Sequence, residues 1–191
     1  MKWSVDMGQN EKKILAIQDA FMRLYAHDQV HEITVKRLCE EVGIARTAFY
    51  YYFSDIYDVL ESIEDKLIGD LKEINQDFFA QDFYQITKDQ FVYFFDTLRY
   101  IKENRSWLKT LLNRSRDGQF IYKWKKIINQ DFSRKYHHDK IVPENEPMVL
   151  EMISSACIGA YTYWVNHLDD ISMEEVAKEV LYRLCRDFIS E

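Results

Sequence analysis

The sequence predicts an all-α protein, with an N-terminal three-helix domain of helix-turn-helix type at residues 1–60 and a larger helical domain at residues 61–191. Three observations predict this class. Apolar residues recur at three- and four-residue steps along most of the chain, which is the period of an α-helix. Only five Gly and two Pro occur, so turn and strand signals are few. A hydrophobic fraction of 47% is ample for a packed core in 191 residues.

The first three helices are placed by their apolar faces and their ends. Residues 11–26 form the first, because four apolar side chains share one face: Ile14, Ile17, Phe21 and Leu24. Thr34 is a good N-cap for a short second helix. Gly43 ends it, since glycine readily takes the left-handed conformation needed just past a helix C-terminus. A third helix follows at about residues 45–53, and two short helices joined by such a turn have helix-turn-helix geometry.

The segment at residues 33–53, ITVKRLCEEVGIARTAFYYYF, resembles the signature of the TetR family of transcriptional regulators. The shared features are a Thr that opens the second helix, a Gly-apolar turn, and an ending of the form apolar-Tyr-x-aromatic-Phe. The resemblance covers about residues 10–62, and the rest of the chain is similar to the family in size and helical pattern. It implies a repressor that binds a pseudo-palindromic double-stranded operator as a homodimer and senses a small apolar or aromatic ligand.

The residues expected to contact DNA lie on the second and third helices. A recognition helix presents polar side chains near its N-terminus, a place that Arg46 and Thr47 occupy. Arg46 can donate two hydrogen bonds to a guanine or can contact phosphate alone, and the sequence leaves both open. Phe49 and Phe53 are expected in the core, and for Tyr52 a core position is favoured over a DNA contact. The predicted contact set is Thr34, Lys36, Arg37, Ala45, Arg46, Thr47, Tyr50 and Tyr51.

One departure from the family pattern concerns the start of the fourth helix. The family commonly has a phosphate-binding Lys there, whereas this chain has Ile56 between the acidic residues Asp55 and Asp58. Residues 1–60 also contain seven Lys or Arg against nine Asp or Glu, so a general positive field is missing. A second hypothesis is therefore a non-enzymatic adaptor of the same fold that binds another protein and whose DNA contacts have degenerated.

Six further helices are predicted after the third. An apolar stripe from Asp55 to about Phe78 predicts a helix of about six turns that can link the two domains. Capping-box spacings at residues 87–90 and 172–175 start helices near Lys88 and Met173. Others are expected near residues 107–112, 120–136 and 147–167.

The second domain is rich in rings that can line an apolar cavity, although ordinary helical core explains them equally well. The candidate pocket residues are Phe91, Phe95, Tyr100, Trp107, Tyr122 and Trp124. Small side chains on one helix and an apolar stripe on the last helix suit close packing, and the family commonly dimerises through its last two long helices. The candidate dimer residues are Ala156, Gly159, Ala160, Tyr163, Val176, Val180, Leu184 and Phe188.

Other classes of protein are disfavoured by what the sequence lacks. No Glu-x-x-His motif of a di-iron enzyme and no Gly-rich phosphate loop occurs, so we expect neither an enzyme nor a bound metal or cofactor. A net charge of −7 disfavours a protein that coats nucleic acid nonspecifically. Cys39, Cys157 and Cys185 are too scattered for a disulfide framework and are expected to be buried thiols. No signal peptide or membrane span is indicated, and we expect a cytoplasmic protein.

Overall fold

The computed structural model describes residues 8–80, 91–114 and 119–181, without the side chains of residues 91–93. Within these ranges every regular element is helical, which confirms the predicted all-α class. A 3-10 turn at Val30–Glu32 lies between the first two helices. The helices are α1 (Gln9–Tyr25), α2 (Val35–Val42), α3 (Arg46–Tyr52), α4 (Ile56–Phe79), α5 (Phe91–Glu103), α6 (Arg105–Asn113), α7 (Gln119–Asp139), α8 (Glu146–Asn166) and α9 (Met173–Val180).

The chain folds as two compact units, and the division between them falls inside α4, after Leu67. The expected domain boundary at residue 60 lies about two turns earlier on the same helix. Val59, Ile63 and Leu67 are fully buried. With the division after Leu67, the first unit contains α1–α3 and the first half of α4. The second unit contains the rest of α4 and α5–α9.

Helix ends follow the local signals in the sequence. The Thr34 hydroxyl accepts a hydrogen bond from the Arg37 amide at 3.2 Å, as an N-cap should. Gly43 has a φ of 74°, the left-handed conformation predicted for the end of α2. Ser172 and Glu175 form the predicted capping box at the start of α9. The other predicted box, at residues 87–90, lies outside the described residues.

No helix in the described part of the chain is both long enough and apolar enough to cross a membrane. The charged residues of α4 and α7 recur at intervals too short for an uninterrupted apolar span. Their apolar faces contribute to the core, with Leu71 of α4 and Trp124 of α7 almost fully buried.

Candidate nucleic-acid interface

Two buried side chains fix α2 and α3 in the first unit. Leu38 of α2 and Phe49 of α3 are both fully buried, and Phe53 just after α3 is nearly so. Phe49 and Phe53 pack ring against ring, with centroids 5.9 Å apart. Phe49 faces inward, while Ala48 and Tyr50, which point away from it round the helix, are exposed. The expected core positions of Phe49 and Phe53 are confirmed.

All eight predicted contact residues are exposed on α2, α3 and the residues that cap them. Arg46 and Thr47 lie in the first turn of α3, directly after Ala45. Tyr50 and Tyr51 lie one turn later and are 57% and 75% exposed, so both hydroxyl groups can reach a partner molecule. This surface presents a guanidinium, a short hydroxyl and two phenols, which are groups that hydrogen-bond bases or phosphates.

Tyr52 is placed differently from the core position that the sequence suggested. Its side chain is only half-buried, and its hydroxyl donates a hydrogen bond to the Asn10 side-chain oxygen at 3.1 Å. Because Asn10 belongs to α1, this bond joins the end of α3 to the first turn of α1. Tyr52 therefore helps to orient α3 within the first unit.

Carboxylates neutralise several cations of this surface. Arg37 pairs with Asp28 at 2.7 Å, Arg23 with Glu41 at 3.3 Å, and Lys36 with Glu40 at 3.9 Å. The Arg23–Glu41 and Lys36–Glu40 pairs are exposed and worth about 0–1 kcal/mol each, so a phosphate can replace their carboxylates at little cost. The Asp28 side chain is only 27% exposed, so water screens its pair with Arg37 less. Arg46, in contrast, forms no ion pair with any described residue.

Two carboxylates accept hydrogen bonds from backbone amides at the start of α4. The Asp58 amide donates to Asp55 at 2.9 Å, and the Ser54 amide donates to the Asp58 carboxylate at 2.7 Å. Ile56, at the position where a Lys is common, is buried in the core. The neighbouring Tyr57 is exposed and was not singled out from the sequence. The spacing of Ile56 and Val59 on the buried face is the signal that places Tyr57 outside.

The described cysteines are buried thiols, as expected, and Cys185 lies outside the described residues. Burial raises the pKa of Cys39, against a smaller opposing effect of Arg46. Burial raises the pKa of Cys157 to about 12. Both side chains therefore stay protonated near neutral pH, which disfavours reaction with oxidants.

The second unit contains a cavity of about 40 Å³ between α4, α5, α7, α8 and the end of α9. Of the predicted pocket residues, Trp124 lines it. Trp107 is buried elsewhere, Tyr122 is exposed, and Tyr100 donates a 2.6 Å hydrogen bond to Asp70. Phe95 is half-buried and does not line the cavity. The side chain of Phe91 is not among the described ones.

The cavity wall also contains a residue that sequence reasoning missed. Asp131 of α7 is only 5% exposed and faces the cavity. Its position was readable from the sequence, because Trp124, Ile128 and Asp131 follow the i, i+4, i+7 spacing of one helical face. The spacing was overlooked because Asp131 and its neighbours Asn129 and Gln130 are all polar, which is typical of an exposed face.

The predicted dimer residues divide into two groups. Ala156, Gly159 and Tyr163 are exposed on α8, and Ala160 beside them is half-buried. Val176 and Val180 of α9 are each 7% exposed, so they pack inside the subunit and offer little surface to a second chain. Leu184 and Phe188 lie outside the described residues.

No cluster of three or more metal-ligating side chains occurs in the ranges that the structure describes. The adjacent histidines of α7 each meet a different carboxylate, His137 at 3.3 Å from Glu146 and His138 at 2.8 Å from Asp139. Their rings therefore do not converge on one point.

Two family models match the chain. Residues 17–63 match the model described as bacterial regulatory proteins, tetR family. Residues 88–184 match the model described as transcriptional regulator C-terminal region. The first match contains α2 and α3, and the second contains the ring-lined cavity except for its α4 wall.

One curated protein and several solved structures are similar to this chain. The uncharacterized HTH-type transcriptional regulator YxbF of Bacillus subtilis is 25% identical over 166 residues, which cover 86% of this chain and 42% of that protein. The chain thus spans less than half the length of this curated relative. A crystal structure described as a TetR-family regulator from Syntrophomonas wolfei aligns with a TM-score of 0.69, at 16% identity over 95% of this chain and 97% of the other. A TetR regulator from Streptococcus agalactiae aligns with a TM-score of 0.67, at 20% identity over 92% and 95%.

Proposed function

The chain belongs to the TetR family of bacterial transcriptional regulators, and from this we propose that α2 and α3 bind one half-site of a pseudo-palindromic operator. α3 is the recognition helix, which enters the major groove. The observation that carries the proposal is the exposed Arg46, Thr47, Tyr50 and Tyr51 surface, in which Arg46 has no carboxylate partner within the described part of the chain.

Each contact has its own role in this proposal. Arg46 donates two hydrogen bonds to the O6 and N7 atoms of a guanine, and Thr47 contacts a thymine methyl or a base-edge acceptor. Tyr50 and Tyr51 donate to phosphates, while Lys36 and Arg37 exchange their carboxylate partners for phosphates. Binding of this kind falls steeply with salt, because counterions leave the DNA as phosphates are neutralised.

Two copies of the chain bind the operator together through an exposed face of α8. Met148, Met152 and Tyr163 are 54%, 49% and 58% exposed, which is unusual for large apolar side chains on one helix. With Ala156 and Gly159 between them, they follow steps of three and four residues and share one face. A two-fold axis through this face would pair each stripe with its own copy. The buried Val176 and Val180 are not part of it.

The second unit senses an effector in its cavity, and the chain acts as a repressor in the cytoplasm, where the operator is. An effector changes operator binding only if it binds the competent and incompetent states with different affinity. The cavity wall, which combines rings with one carboxylate and the polar residues Asn75 and Thr97, sets which effectors fit.

A second candidate function is an adaptor that binds a protein through the same surface. The observation that favours it is the acidic character of the surface: Asp28 and Glu40 pair with its cations, and the carboxylates of Asp55 and Asp58 accept backbone hydrogen bonds at the start of α4. An adaptor needs no positive field, whereas an operator-binding protein gains affinity from one.

Selection of genomic DNA fragments by the purified full-length chain at moderate salt tests the two functions. We expect enrichment of one pseudo-palindrome, which Arg46→Ala and Tyr50→Ala abolish. Lys109→Ala is the matched control, because it removes an exposed positive charge from α6 in the second unit. The absence of enrichment even at low salt, or equal enrichment by Arg46→Ala, contradicts operator binding and favours the adaptor.

A further inference from the structure

Six of the thirteen residues that line the cavity of the second unit are aromatic. Phe79 and Phe132 meet edge to face at 5.0 Å between centroids, and Trp124 stacks on Tyr161 at 5.4 Å. The aromatic lining consists of Phe78, Phe79, Phe94, Trp124, Phe132 and Tyr161. The face of an aromatic ring carries partial negative charge, so a ring whose face is turned to the cavity would attract a cation.

A carboxylate lies among these rings. Asp131 lines the cavity and is only 5% exposed. Its Oδ1 atom lies 3.3 Å from Nη1 of Arg134, whose side chain is 66% exposed, so this ion pair is screened by water. Burial raises the pKa of Asp131, while the charges of Arg134 and of the exposed Lys72 on α4 act against burial. Buried carboxylates usually have a close and equally buried partner, and Arg134 is not buried.

We propose that this cavity binds a small organic ammonium ion, with its charged group against Asp131 and its carbon atoms against the rings. The carboxylate supplies a charge-assisted hydrogen bond, and the rings supply cation–π attraction. An anion would be repelled by the Asp131 charge, and a neutral molecule would leave that charge with only the exposed Arg134 as its partner. This inference rests on the proposed function, because it names the chemical class of the effector.

The volume limits the size of the ion. A cavity of about 40 Å³ corresponds to about three water-sized volumes, since one water needs about 10–15 Å³ by this measure. Ammonium ions of about two to four non-hydrogen atoms therefore fit without movement of the wall. Methylammonium, ethylammonium and trimethylammonium are suitable probes, and ethanol is the neutral counterpart of ethylammonium.

Calorimetric titration of the full-length protein with each probe, at constant ionic strength, tests the proposal. Ethylammonium is expected to bind saturably and ethanol is not. Asp131→Asn is expected to weaken ethylammonium binding by about tenfold or more, because a charge-assisted hydrogen bond is lost. Arg134→Gln is expected to strengthen it several-fold, because the carboxylate then has no competing cation. Asp96→Asn is the matched control, since Asp96 forms the same kind of i,i+3 pair with Arg99 but lies away from the cavity.

Three results would overturn the proposal: no saturable binding of any of the three ions, equal binding of ethanol and ethylammonium, or undiminished binding by a folded Asp131→Asn protein. Arg134→Gln keeps the proposal testable if Asp131→Asn misfolds, because Arg134→Gln is expected to strengthen ethylammonium binding and misfolding would not. Operator binding is measured on the same samples. Operator binding without ammonium binding refutes only this inference, whereas ammonium binding without operator binding refutes only the proposed DNA function.

Discussion

The guanidinium of Arg37, on α2, lies 2.7 Å from the carboxylate of Asp28, which belongs to the short segment between α1 and α2. Arg37 is one of the residues proposed to contact phosphate. The pair therefore holds the arginine in place while it cancels the charge that would attract DNA. Lys36 and Glu40 repeat the arrangement at 3.9 Å within α2.

Neutral replacement of these acids is expected to strengthen operator binding. Asp28→Asn and Glu40→Gln each remove a negative charge beside a phosphate-binding cation, which should raise affinity about two- to fivefold at moderate salt. Fluorescence anisotropy of a labelled operator at several salt concentrations measures the change. Glu103→Gln on α5, in the second unit, serves as the control for loss of an exposed acid. Unchanged affinity in both variants would show that Arg37 and Lys36 lie outside the DNA contact.

Arg46→Ala distinguishes base recognition from phosphate contact. If Arg46 reads a guanine, its loss costs about 1–3 kcal/mol and relaxes sequence preference at one position of each half-site. If it contacts phosphate alone, binding weakens equally for all sequences and the salt dependence drops by about one counterion. Affinities for an operator series with single base changes decide between these outcomes. We expect the first, because Arg46 is in the first turn of α3.

The sequence was informative where the signal is local. Thr34 caps α2 and Gly43 ends it because each acts within four residues along the chain. The exposed face of α3 followed from its period, since Phe49 had to face inward.

Long-range packing could not be read in the same way. Tyr100 and Trp107 lie on ring-rich helices, but which rings line the cavity depends on how five helices meet. The apolar stripe of Val176 and Val180 likewise suits either a dimer or the subunit core, and burial places both residues inside the subunit.

Gly43→Ala is expected to destabilise the first unit through the backbone alone. An added Cβ would meet no atom within 4 Å, but the φ of 74° costs a non-glycine residue about 1–2 kcal/mol. Gly69→Ala, on an exposed helical position of α4 with equally open space, should instead stabilise the chain by about 1 kcal/mol. Urea unfolding followed by circular dichroism measures both. The same sign of change in the two variants would contradict the role of the left-handed turn.

A charge on the exposed face of α8 is expected to dissociate the proposed dimer. Met152→Glu and Tyr163→Glu would each place a carboxylate in an apolar contact that is repeated across the two-fold axis. Analytical ultracentrifugation should then find monomer at micromolar concentration. Val142→Glu is the control, since it puts the same charge on an exposed apolar position outside α8. Dimers that persist in both α8 variants would move the interface to another surface.

Asp131→Asn is expected to make the protein more stable at neutral pH, which would show that the carboxylate is held in the cavity wall at a cost. Burial raises the pKa of Asp131 above its ordinary value of 3.8, so the folded chain binds this proton more tightly than the unfolded chain. Stability from this group therefore falls as pH rises from about 3.8 through the folded-state pKa. A gain of 1 kcal/mol corresponds to about 2–4 °C in Tm for a chain of this size.

The gain should shrink as the pH is lowered towards 4, because the raised pKa lets a growing fraction of Asp131 become protonated in the folded protein and so resemble the amide. Differential scanning calorimetry of both proteins from pH 4 to pH 7 measures this convergence. Asp96→Asn, at a half-exposed position with a similar Arg partner, should show no such pH-dependent difference. If Asp131→Asn were instead less stable at pH 7 and equally stable at pH 4, its ion pair with Arg134 would outweigh the cost of burial. The cavity would then have a carboxylate already satisfied by its own chain, and an ammonium ion would have to displace Arg134 in order to bind.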